Sequence, residues 1–161
     1  MTTTDTTTAA GADAATAKSR VQLFFDAYRD HDVETMVELC DDMADFHYVP
    51  VEIWGKQRVV RGDGKVRTVG KTLWTGLIDA VPNLTNEVTS MSADDDGNVV
   101  AEVVISGTQS KDWGAIGTQG RHYDLPHLFL LHVNSDGLID RITGYWDGAD
   151  FNQQLGRVEV D

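Results

Sequence analysis

The stretch RHYDLPHLFLLHVNSDGLIDRITGYWD, residues 121–147, decides the fold. Its first half alternates, placing Leu125, His127, Phe129 and Leu131 on one face of a strand and Leu128 and Leu130 on the other. The tetrapeptide at 134–137, Asn-Ser-Asp-Gly, is turn chemistry. Residues 138–146 resume the alternation, with Ile142, Gly144 and Trp146 on one face and Tyr145 on the other. Asp147 then opens a short helix that ends near Gly156. The stretch therefore reads as an antiparallel hairpin running into a closing helix.

Upstream the same period of two continues. Residues 84–93 and 99–109 are strands joined by the turn DDDGN at 94–98. A Gly-rich loop, SKDWGAIGTQG at 110–120, leads into the stretch above. Before Pro82 the period is helical. Residues 64–80 carry Leu73, Leu77 and Ala80 on one face with Trp74 and Ile78 beside them. Residues 18–30 place Val21, Phe24, Phe25 and Tyr28 at one helical face. Asp32 caps a second helix bearing Val33, Met36, Val37 and Cys40. Between these helices, 45–54 alternates and is rich in aromatic and β-branched residues, so it is a strand, with Pro50 marking an edge or a bulge. Helices first and hairpins after define an α+β domain. The expected form is a cone-shaped, strongly bent, mostly antiparallel sheet. About three helices cover its concave face, a short helix closes it, and a pocket lies between the layers.

The 161 residues make one domain, expected over 18–161, behind a Thr/Ala-rich tail over 1–17. The lone cysteine, Cys40, permits no internal disulfide and suits a reducing, cytoplasmic setting. No apolar run is long enough to cross a membrane. A formal charge of −13, from 26 acidic and 13 basic residues, argues against nucleic acid and anionic membranes as partners.

From Gly107 onward the residues carry a family resemblance. Gly107-Thr108-Gln109, then Trp113, Gly114 and Ile116, then Gly120-Arg121, Asp136-Gly137, Asp147 and Gln154-Leu155-Gly156 follow one pattern in their spacing. It resembles that of the SnoaL-like polyketide cyclases, a branch of the nuclear transport factor 2-like superfamily. The resemblance implies the cone fold, a pocket for a small molecule and, in the cyclases, acid–base chemistry without a cofactor. It also exposes a departure. The acid/base aspartate expected three residues before Asp147 is Gly144, the histidine expected after Gly-Thr is Gln109, and a histidine of the preceding strand falls on Phe129. Limonene epoxide hydrolases, relatives of the same fold, use an aspartate near the Gly144 position too.

Other candidates remain. His127, on an otherwise apolar strand face, is the acid/base candidate, against a core histidine bonded to a neighbour. His122 and His132 have the other parity, and the spacing gives no metal site. Asp147 is either a helix cap or a catalytic group that orients His127. Tyr48 is a candidate hydrogen-bond donor to a carbonyl oxygen, although alternation leaves open whether it or His47 points inward. Trp146, Phe129, Ile142, Trp74, Trp113, Trp54 and Gln109 are candidate walls, and Gly144 leaves room for a ligand to approach. The Gly-rich loop lacks the Lys-Ser/Thr ending of a phosphate cradle. Two functions stay open. One is a cofactor-free cyclase, isomerase or dehydratase acting on a small apolar carbonyl compound. The other is a non-catalytic binding or dimeric interaction module that has lost its acid. The strands at 99–109 and 121–133 are apolar on both faces, which predicts a homodimer through the outer face.

Overall fold

The computed structural model describes residues 10–51, 62–114 and 116–157. In chain order it contains α1 (Ala14–Arg29), α2 (Val33–Glu38), β1 (Cys40–Val51), β2 (Gly62–Lys65), α3 (Lys71–Ala80), β3 (Thr85–Ala93), β4 (Asn98–Thr108), β5 (His122–Val133), β6 (Ile139–Asp147) and α4 (Gly148–Gln154). Among the described residues the strands form one sheet in the order β2-β1-β6-β5-β4-β3. Every neighbouring pair is antiparallel except β1 with β6. This is the α+β cone, a curled open sheet with helices against its concave face.

Side-chain chemistry explains the elements. The Asp13 carboxylate accepts from the Thr16 N–H at 2.8 Å and caps α1, a contact worth about 1 kcal/mol. Val21, Phe24, Phe25 and Tyr28 then bury one face against the sheet, with Phe25 edge-on to Phe129 at 5.1 Å. Both predicted turns close by the same device. Asp94 accepts from the N–H groups of Asp96 and Asn98, and Asn134 from those of Asp136 and Leu138. Gly97 (φ 82°) and Gly137 (φ 77°) supply the left-handed residue each turn requires.

Three boundaries differ from the sequence reading. The helix expected from residue 18 starts at Ala14, because Asp13 rather than a residue after the Thr/Ala run provides the cap. The backbone of Gly11 also bridges to Asn134, tying the end of the supposed tail to the β5–β6 turn. Cys40, read as the last apolar position of the second helix, instead opens β1, which begins with an irregular register before Asp45. The helix expected over 64–80 is three pieces: the short strand β2, a π-helical turn at Val66–Gly70, and α3. Strand β2 escaped notice because Gly-Asp-Gly-Lys carries no alternating apolar pattern; pairing with β1 makes it a strand. Pro50 lies two residues beyond Tyr48, whose pairing with Gly62 is the last β1–β2 pair among the described residues. Trp54 lies outside the described residues.

Candidate functional site

The site grows from two adjacent rows across three neighbouring strands of the sheet. In one row Tyr48, Gly144 and Phe129 stand side by side on β1, β6 and β5; in the next, Pro50, Trp146 and His127 do. All inward positions of β5 share one parity, so Tyr123, Leu125, His127 and Phe129 face the helices. They line or back a chamber closed by Tyr28 of α1, Leu73 and Leu77 of α3, and Trp113 of the loop before β5. The free volume there is about 30 Å³. Tyr48, Leu73, Trp113, Trp146 and Phe151 also line an outer vestibule of about 310 Å³. A broader groove of about 570 Å³ runs over the other face of the sheet, lined mainly by outward residues such as Glu102, Val104, Leu128 and Tyr145. His127, Trp146 and Asp147 reach the edge of this groove too, but of these three spaces the chamber is the one that sets His127 beside Tyr28, Tyr48 and Tyr123.

The alternation at β1 resolves in favour of Tyr48. Its ring is buried, whereas His47 points outward and pairs with Asp63 at 2.9 Å. The buried Trp74 indole donates to the Tyr48 hydroxyl oxygen at 2.8 Å. Burial raises the Tyr48 phenol above its usual range, and the Trp74 bond only partly opposes it, so the group is a neutral donor.

His127 faces the chamber. Its Nδ1 lies 2.9 Å from the Leu125 carbonyl oxygen. A carbonyl only accepts, so Nδ1 carries the proton and donates, and Nε2 keeps its lone pair. The ring is stacked with Phe129 at 5.7 Å and tilted against Trp146 at 5.1 Å. Burial among these rings pushes its pKa down to about 4, the Leu125 carbonyl only partly opposing the shift. The imidazole is therefore neutral at pH 7.

Other expected site residues sit elsewhere. Asp147 caps α4, accepting from the Asp150 N–H at 3.0 Å; it is exposed, lines neither chamber nor vestibule, and makes no hydrogen bond to His127. The cap is thus present in the structure, and Asp147 shares the lining of the groove on the other face with His127. Ile142, Phe129 and Trp74 are fully buried behind the wall rather than on it. Gln109 is buried and anchors the Gly-rich loop, donating to the Ile116 carbonyl at 2.9 Å. Gly144 does not open the space expected of it. A Cβ there would lie 3.0 Å from the Phe129 ring and 3.1 Å from the Tyr48 ring, so aromatic carbon already fills the place. Trp146 and Trp113 do line the site. The sequence reading passed over Tyr28, Tyr123 and Phe151. Tyr123 shares its parity with Leu125 and His127, a signal that was available; Tyr28 is indistinguishable in sequence from its core neighbours Phe24 and Phe25.

Among the described residues no group of three His, Cys, Asp or Glu side chains is placed to hold a metal ion. Nor is any helix there long and apolar enough to cross a membrane.

With the cone and its chamber in hand, the comparisons agree on class. The sequence model of the SnoaL-like domain matches residues 21–142. The chain belongs to the SnoaL-like family. Solved structures share its fold. They include AclR, a candidate hydroxylase from Streptomyces galilaeus (TM-score 0.71, 16% identity, covering 91% of this chain and 88% of that one). IdmH, a candidate polyketide cyclase from Streptomyces antibioticus, superposes with TM-score 0.68 at 22% identity, covering 87% of this chain and 98% of its own. SalBIII, an epoxide hydrolase/cyclase-like enzyme of pyran ring formation in salinomycin, gives 0.64 at 20% identity, covering 84% and 94%. No curated protein matches the chain in sequence.

Proposed function

We propose that the chain is a cofactor-free enzyme of the SnoaL-like family that moves a proton next to the carbonyl of a small apolar compound, as an isomerase, cyclase or dehydratase must. One observation carries this reading: the same chamber is lined by His127, whose Nδ1 proton is committed to the Leu125 carbonyl so that Nε2 keeps its lone pair, and by Tyr48, whose hydroxyl proton has no acceptor among the described residues. His127 takes the proton from the carbon beside the carbonyl. Tyr48, its oxygen already occupied by Trp74, gives its hydrogen bond to the oxygen as negative charge develops there. A base with a pKa near 4 is weak, yet ketosteroid isomerase uses a carboxylate of comparable strength because its oxyanion donors lower the acidity gap. The neutral chamber and its aromatic walls, Trp146 and Trp113, suit an apolar or aromatic ring. Asp147 keeps a structural part as the cap of α4. We place the protein in the cytoplasm as a homodimer, its partners being a second copy and the small ligand, with neither nucleic acid nor membrane involved. Screening cyclic ketones for a rise in melting temperature finds ligands, and proton exchange beside the bound carbonyl tests the chemistry.

A second reading is a non-catalytic binding protein or dimeric interaction module. Its support is the paired loss of the family's polar groups: Gly144 and Phe129 stand where an aspartate and a histidine were expected, and they are direct cross-strand partners. Ligand binding without proton exchange would favour it.

A further inference from the structure

The chamber holds more hydrogen-bond donors than its own walls use. Tyr28 from α1, Tyr48 from β1 and Tyr123 from β5 all line the cavity of about 30 Å³, and Tyr28 and Tyr123 are each 2% exposed. Among the described residues the hydroxyls of Tyr28 and Tyr123 make no hydrogen bond within the protein, and the Tyr48 hydroxyl only accepts. Buried tyrosine hydroxyls ordinarily find a partner. Neither unpaired hydroxyl is sealed in packing; both belong to residues that open on the void. A void of this size takes one water or one ligand oxygen.

We propose that Tyr28 and Tyr123 join Tyr48 in a three-tyrosine site at the inner end of the chamber, which grips one acceptor oxygen of the ligand, a carbonyl, while the ring body lies in the vestibule. The inference rests on the reading of the chamber as the ligand site; it adds two residues and a pose. The donor count selects the ligand. The three hydroxyls bring three protons, and among the described lining side chains the other polar groups are the His127 imidazole and the indole N–H donors of Trp113 and Trp146, so donors outnumber acceptors. A carbonyl oxygen has two lone pairs and takes up the excess. An ammonium would add donors to a chamber whose described walls hold no carboxylate, and a hydrocarbon would leave every hydroxyl unpaired. The Tyr28 phenol is held well above its usual pKa by burial and then by the nearness of Tyr48 and Tyr123, in keeping with hydroxyls that converge.

The test uses α-tetralone and its hydrocarbon counterpart tetralin, with affinities read from tryptophan fluorescence of the full chain. Wild type should bind the ketone about tenfold more tightly than the hydrocarbon. Tyr28→Phe and Tyr123→Phe should each lower that ratio about twofold, the low end of the worth of one neutral hydrogen bond, and the double variant should leave only the roughly two- to threefold preference that Tyr48 sustains. Neither substitution removes a bond made inside the protein, so melting temperatures should stay at the wild-type value. The infrared carbonyl stretch of bound α-tetralone gives a second measurement: it should lie below its value in hexane for wild type and climb in each variant. Equal binding of ketone and hydrocarbon by wild type, no saturable ketone binding, or a ratio untouched in both variants would overturn the site. Tyrosine-dependent ketone binding without proton exchange would keep the site and remove the catalytic reading. Proton exchange with undiminished ketone preference in the variants would do the reverse.

Discussion

The Phe129 ring stands directly over Gly144, its cross-strand partner, so that a Cβ added to Gly144 would approach Phe129 Cε1 to 3.0 Å. Tyr48 closes the other side at 3.1 Å. Where the resemblance implies a carboxylate and an imidazole, this chain has a hydrogen atom and a benzene ring in contact. Restoring one without the other overfills the site. Gly144→Ala should destabilise the fold by about 1–3 kcal/mol in urea unfolding, as overpacked cores do. Phe129→Leu in the same chain should recover part of that loss, giving a measurable coupling between the two sites.

Tyr48 and Trp74 are coupled in the other sense, through a bond that must not be broken from one side. Tyr48→Phe leaves the buried Trp74 N–H without an acceptor and should cost about 1–3 kcal/mol of stability. Tyr28→Phe, which orphans nothing within the protein, should cost much less. Equal losses in the two variants would contradict this division.

His127 sets a pH dependence whose sign follows from burial. Its folded pKa of about 4 lies below the ordinary value of 6.5. As pH falls from about 6.5 toward 4, the unfolded chain takes up a proton that the folded chain refuses, so stability falls, by at most about 3 kcal/mol from this group. Above pH 6.5 the group contributes no slope. His127→Gln should flatten this part of the profile, and the difference between wild type and variant isolates it from the carboxylates. The same pKa predicts that any His127-dependent rate is level from about pH 5 upward and falls below about pH 4 as Nε2 is protonated.

Much of this was legible in the sequence, and the exceptions have physical causes. Strict alternation in β5 and β6 put His127 and Trp146 on the inner face, and the structure agrees. Alternation alone gave no phase for β1, because Phe46 and Tyr48 on one side and His47 and Val49 on the other suit either face; only the pairing of Tyr48 beside Gly144 settles it. The emptiness expected at Gly144 was a statement about one residue, while the space there is decided by rings from two other strands. Tyr28 was read as core because helical spacing reports which face is buried, not whether a void lies beneath it.

The homodimer proposed above would form through the outer face of the sheet. Val100, Leu128 and Leu130 remain 44%, 39% and 36% exposed on neighbouring strands. A contiguous apolar patch of this kind is rarely left open to water. Light scattering at micromolar concentration should report a dimer, and Leu128→Lys with Leu130→Lys should convert it to a monomer. A monomeric wild-type chain would contradict the assignment.

The central claim is that His127 and Tyr48 together move a proton beside a carbonyl. It is tested most directly by following, in D₂O by proton NMR, the exchange of the α-protons of α-tetralone. Wild type should accelerate exchange over buffer, His127→Ala should return it to the buffer rate, and Tyr48→Phe should lower it about a hundredfold, the usual loss for one oxyanion donor. Exchange at the buffer rate with wild type saturated by ketone, or acceleration that survives in His127→Ala, would contradict the account.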